Sequence, residues 1–179
     1  MNFKESQKDM NSSYYGGATG VLASGLVWGV AGLVGVMVSN IASMYALFIG
    51  GMFIFPLSML FSKLLKRSGA HSPRNALRYL AIEGLGILFA GLLIAFVVAQ
   101  FNIMLFFPIM LLVIGTRYLT FQTLYGLKTY WLLGGVLIVG GALCFILNLS
   151  FIAGAFIGSA VEIAFALVLF NRSKVASGG

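Results

Sequence analysis

Glu83, Arg117 and Glu162 are ionisable residues set inside long apolar runs. A charge at mid-helix in a bilayer costs about 2.5–3.5 kcal/mol even on the mildest insertion scale, so such groups pair, neutralise or face water. Glu162 follows Ser150, Gly154 and Gly158 at spacings of four. Those positions share one helix face, and small residues there suit close packing, so the carboxyl is expected to point into a bundle and not at lipid. No basic residue reaches its depth by counting along the chain. It is therefore expected to be protonated and to donate a hydrogen bond. Two roles stay open for it: a neutral bond between helices, and a proton or cation site.

Arg117 belongs to GTRYLTFQTLYGLKTYW (Gly115 to Trp131), the most polar stretch with apolar runs on both sides. If the chain turns near residues 100 and 101, Glu83 lies level with residue 118 on the neighbouring helix. Arg117 and Glu83 are then expected to pair, which would keep Glu83 ionised. Such a pair either locks two helices together or forms an inner vestibule where an anion or proton competes with it. Thr116, Thr120 and Thr123 share a face beside Arg117. Their hydroxyls can bond their own helix backbone or line a wet cavity. Tyr118, Tyr125, Tyr130 and Trp131 read as an aromatic belt at the membrane surface.

The elements that position these residues follow from composition. The chain has 179 residues, 60% hydrophobic and 8% charged, with mean hydropathy +1.04. Soluble domains carry about 25% charged residues, so this chain cannot cover a water-facing surface. Its apolar runs continue over about 20 positions without alternation, which excludes a β-barrel and points to helices. The expected fold is all-α: a polytopic membrane protein with a bundle of six transmembrane helices, with helical hairpins as a candidate repeat unit. Asn40 and Phe48-Ile49-Gly50 recur as Asn148 and Phe156-Ile157-Gly158 in the corresponding hairpin.

The helices are placed at about 16–38, 41–65, 73–99, 103–125, 128–147 and 151–170, after a polar lead 1–15 and before a tail 171–179. The lead is expected to be mobile or to lie on the inner surface, and no cleavable signal peptide is expected. Ser72-Pro73 reads as a cap followed by proline at the first helical position. The fourth helix must pass Gly115, because stopping there would span only about 20 Å of a ~30 Å core. Gly126 is its natural C-cap. Pro56 inside the second helix removes one backbone bond.

The net charge of +7 is distributed one-sidedly. All eleven basic residues fall at the termini, in the 63–78 loop and around 117–128, whereas the three opposite turns are uncharged. The positive-inside rule accounts for this with both termini cytoplasmic, and no nucleic-acid partner is expected. Cys144 is the only cysteine, which excludes an intrachain disulfide. No histidine cluster, GxSxG or phosphate-binding loop occurs, so no catalytic residue, metal or cofactor is expected, and the chain is not read as an enzyme.

The segments FIGGMFIFPLSMLFSKLL (Phe48 to Leu65) and GTRYLTFQTLYGLKTYW are similar to an uncharacterised family of small bacterial six-helix membrane proteins, over about Tyr14 to Phe170. That resemblance implies a bacterial cytoplasmic membrane and no particular activity. The leading expectation is a small transport or permeation protein. Its candidate pore or binding residues are Glu162, Glu83, Arg117, Thr116, Thr120 and Tyr118, and its partners are the bilayer and a small solute, ion or proton. The alternative is a non-catalytic sensor, stress or assembly protein in which these residues only hold helices together. Glycine-rich helix faces offer a surface for a homo-oligomer.

Overall fold

An apolar run in lipid must satisfy every backbone group internally, and a helix does so. The computed structural model describes residues 1–177, and side chains through residue 172. Gly178, Gly179 and the side chain of Lys174, parts of the expected tail, lie outside the described residues. The chain forms α1 (Phe3–Tyr14), a 3-10 turn (Tyr15–Gly17), α2 (Ala18–Met37), α3 (Asn40–Leu64) and α4 (Leu77–Ala99). A second 3-10 turn (Ile103–Leu105) then leads into α5 (Phe106–Tyr125), α6 (Thr129–Ile146) and α7 (Phe151–Ser177). Six stretches are long and apolar enough to cross a membrane, the first being α2 together with α1. Large apolar side chains cover the outside, among them Met37 at 80% exposure and Leu93 at 65%. The protein is an all-α, six-helix, multi-pass membrane protein.

Local chemistry sets the helix ends. Ser39 Oγ accepts from Ala42 N at 3.1 Å and starts α3. Gly126, at φ 71°, stops α5 and donates its N–H to Gln122 O. The start of α4 differs from expectation. Ser72 and Pro73 belong to a turn, and the helix begins at Leu77, whose N–H goes to Asn75 Oδ1 at 3.0 Å. Asn75 is wholly buried, and this tertiary anchoring overrides the local Ser-Pro signal.

Of the two arrangements expected for the polar lead, mobile or lying on the surface at the basic end, the structure has the second. The lead is an ordered helix opened by an Asn2/Glu5 capping box, and it packs across the basic end of the bundle.

Small residues set the packing of the spans. Along α2, Gly25, Gly29 and Gly32 face Ile163, Ser159 and Phe156 of the antiparallel α7. Its other side meets α3, where Gly50 receives Val27 and Thr19 Oγ1 lies 3.0 Å from both Ser58 Oγ and Ser62 Oγ. The backbones of α5 and α6 nearly touch at Gly115 and Gly134, and α4 leans on α5 through Gly91 and Val113. The interior is thus formed mainly by α2, α5, α6 and α7, while α3 and α4 are more peripheral.

Candidate functional site

Two aromatic layers divide the interior. Toward the uncharged turns lie Trp28, Phe106, Phe107 and Phe151, with the Phe107 and Phe151 rings 4.8 Å apart and Trp28 5.7 Å from Phe107. Toward the basic end, Tyr130 stacks on Tyr118 at 6.0 Å and on Tyr125 at 5.5 Å, with Phe121 edge-on to all three tyrosines.

Glu162 lies between these layers. Its exposure is 0%, and Gly25 of α2 makes room for its Cβ. Ser24 of α2 and Tyr118 of α5 present their hydroxyls to the carboxyl, and Arg117 is within electrostatic reach. Neither hydroxyl meets hydrogen-bond geometry, so both carboxyl oxygens are buried without a partner. Among the described residues, three further buried polar atoms share this condition: Arg117 Nε on α5, Thr129 Oγ1 on α6 and Trp28 Nε1 on α2. Trp28 packs against Gly158, one helical turn from Glu162. A buried polar atom ordinarily finds a hydrogen-bond partner, so this run of unpartnered atoms marks the interior as unusual.

The expected Glu83–Arg117 pair is not formed. Arg117 does lie level with that part of the neighbouring helix, with Nε against Gly84, 3.5 Å from where a Cβ would stand. The facing differs. Glu83 is exposed, and among the described residues it makes no ion pair. Successive helix residues point about 100° apart, so a residue at the right depth can look away from its neighbour. Arg117 is half-buried, with Cζ 5.2 Å from the Phe121 ring centroid. Its guanidinium lies beside α4 and Phe121, and its charge reaches Glu162 only electrostatically.

Two of the three threonines are occupied locally. Thr116 Oγ1 donates to Leu112 O at 2.8 Å and Thr120 Oγ1 to Arg117 O at 2.7 Å. Thr116 and Thr123 are exposed. The tyrosines do not form a belt. Tyr118 and Tyr130 are buried, Tyr125 is half-buried, and of the four aromatics only Trp131 is exposed.

Ser24, Trp28, Thr129 and Tyr130 join the site without a sequence signal that singles them out for it. Ser24 continues the small-residue line Gly16, Gly20, and that pattern reads equally well as packing. A buried indole and a buried threonine carry no signal in an apolar alphabet. Among the described residues no three His, Cys, Asp or Glu side chains cluster as metal ligands would. Two cavities, of about 270 and 230 Å³, open beside Pro108 toward the uncharged end, and neither is lined by Glu162.

Residues 3–172 match the family of unknown function DUF7010, and the chain belongs to that family. No curated protein and no solved structure matches the chain.

Proposed function

We propose that this protein moves protons or small cations across the membrane, that the arrangement described is its closed state, and that Glu162 is the ion-binding group. One observation carries the reading: both Glu162 oxygens are buried among α2, α5 and α7 without a hydrogen-bond partner. A carboxyl whose only role was to join helices would be bonded, because an unmet polar group in a low-dielectric interior costs about 1–3 kcal/mol. Tyr118 and Ser24 supply oxygens for a proton or a desolvated cation, and Arg117 biases the charge of the site. Glu83, Thr116 and Thr120 lie outside this path. The membrane is the bacterial cytoplasmic membrane with both termini inside, a reading supported by the basic residues gathered at one end.

The test is ion flux into proteoliposomes under an imposed proton or potassium gradient. Wild-type protein is expected to conduct, and Glu162→Gln to lower the flux on the order of 100-fold, the scale of removing one proton-transfer group. Equal flux in both, or none in either, rejects the reading. The complete burial of Glu162 favours a second one, in which the protein is a non-catalytic scaffold or assembly partner and the cluster only specifies helix pairing. Absent flux together with unchanged or raised stability of Glu162→Gln selects it.

For assembly, α4 offers the face. The small faces of α2, and Gly115, Gly134 and Gly141 of α5 and α6, are filled inside the bundle, whereas Gly86 of α4, like Gly51 of α3 and Gly135 of α6, has nothing within 4 Å. Tyr79, Glu83, Gly86, Ala90, Leu93 and Val97 follow a coiled-coil spacing along α4 and are all exposed. A parallel second copy on this line places two Glu83 carboxyls at one depth. The two carboxyls can then face each other away from lipid, a turn from Arg78, whose Nη2 donates to Tyr79 Oη at 2.8 Å. Gly86→Cys is expected to give a disulfide dimer on mild oxidation in membranes, with Val139→Cys on exposed α6 as the comparison. Equal dimer yields at both positions would rule this interface out.

A further inference from the structure

The N-terminal helix α1 lies across the basic end of the bundle, on the side from which the tyrosine layer leads to Glu162. Its attachment is largely polar. Asp9 Oδ2 accepts from Ser72 N at 3.0 Å and from Asn75 Nδ2 at 2.8 Å, and Asn75 Nδ2 also donates to Ser6 O. Ser13 Oγ donates to Ala70 O at 3.0 Å, and Tyr14 Oη lies 2.9 Å from His71 Nδ1. These bonds tie α1 to the α3–α4 loop. On the other side, Gln7 Nε2 donates to Thr123 O at 2.8 Å and Asn11 Nδ2 to Tyr125 O at 3.4 Å, at the end of α5. Its apolar support is a satellite cluster of Met10, Tyr14 and Leu124 that reaches the main core through Phe121 and Tyr125.

The joint between α1 and α2 is a break in the helix, with Tyr15 Oη donating to Leu65 O at 3.0 Å. Tyr15, Gly16 and Gly17 take φ values of 51°, 60° and 81°, three successive left-handed residues. Glycine adopts that conformation freely, and a tyrosine does so at a cost. Gly16 O accepts the Tyr130 hydroxyl at 2.6 Å. Tyr130 stacks on Tyr118, and Tyr118 faces Glu162. A movement of the joint therefore acts on the ring that lines the buried carboxyl.

We propose that α1 is an inner gate. Latched through Asp9, Gln7 and Asn11, it holds Tyr130 and Tyr118 over Glu162 and keeps the carboxyl from water on the basic side. Released, it swings about residues 15–17, frees the Tyr130 hydroxyl from Gly16, and lets the tyrosine layer open. This gate rests on the permeation reading for its purpose, although its geometry can be tested without any flux.

The experiment uses the full chain in inside-out membrane vesicles, with Cys144→Ser removing the native thiol and Ser24→Cys placing a probe beside Glu162. The readout is the rate of modification by a charged, water-soluble methanethiosulfonate reagent. With the latch intact the rate is expected to be slow. Gln7→Ala with Asp9→Ala is expected to raise it about tenfold or more, as a shift toward an open population requires. An unchanged rate in a folded double variant overturns the gate. If the double variant loses its folded state, Gln7→Ala alone, which removes only the Thr123 bond, carries the same expectation. Faster modification without flux in any variant keeps the gate and rejects permeation. Glu162-dependent flux with an unchanged modification rate does the reverse.

Discussion

Gly134→Ala is expected to disrupt the bundle, while Gly135→Ala, one residue away, leaves it intact. A Cβ at Gly134 would stand 2.6 Å from Gly115 O and 2.8 Å from Leu119 Cδ2. A Cβ at Gly115 would meet Gly134 O at 2.8 Å in return. These obstacles include backbone on both helices, which cannot rotate aside as a side-chain tip can, so α5 and α6 must separate. Overpacking of this kind costs about 1–3 kcal/mol for one methyl group, and more for valine or leucine. The separation would loosen the interior around Leu111, Leu133 and Leu137, all of them fully buried. Gly135 has nothing within 4 Å. Its replacement adds only the small helix-forming advantage of alanine, at most about 1 kcal/mol. Thermal unfolding in detergent, followed by circular dichroism, measures both. Equal midpoints for the two variants would show that the α5–α6 crossing is looser than described.

The second large effect concerns how Arg117 is coupled. In a double-mutant cycle, Arg117→Leu and Glu162→Gln are expected to interact by roughly 0.5–3 kcal/mol, the range for residues sharing one electrostatic network. The sign follows from the site. With Glu162 present, removing Arg117 withdraws the positive charge within reach of a carboxyl that has no hydrogen-bond partner. With glutamine at position 162 that penalty vanishes, so Arg117→Leu costs less. The parallel cycle of Arg117→Leu with Glu83→Gln is expected to be additive within about 0.5 kcal/mol, because Glu83 faces outward and Gly84 occupies the place beside Arg117. Coupling confined to the Glu83 cycle would reverse the assignment and restore a paired vestibule between α4 and α5.

These cycles separate what was legible in the sequence from what was not. The depth of Arg117 against α4 followed from hairpin counting, because helical rise is constant at about 1.5 Å per residue. Its partner did not follow. Glu83 and Gly84 differ by about 1.5 Å in depth and by about 100° in direction, and only packing settles which of them looks inward. The facing of the other spans carried the same ambiguity, since every span is apolar nearly all round and no polar face orients it. The end of α5 at Gly126 was readable, because a left-handed cap has a residue preference of its own. The start of α4 was not, because Asn75 anchors to Ser6 and Asp9 of a distant helix.

Composition and run length were enough to specify an all-α membrane protein with six spans and their order. Those properties depend on hydrophobic length and backbone geometry, which are local or additive along the chain. The tertiary structure alone decided that Glu162 is wrapped by Ser24, Gly25 and Tyr118, that Thr116 and Thr120 bond their own helix, and that the polar lead is a helix packed across the basic end. Each of these is a question of facing between segments far apart in sequence. In a bundle of nearly uniform apolar helices, facing is set by the fit of small residues against large ones across interfaces, as Gly158 fits Trp28 and Gly50 fits Val27, and by the few polar atoms that must be enclosed together.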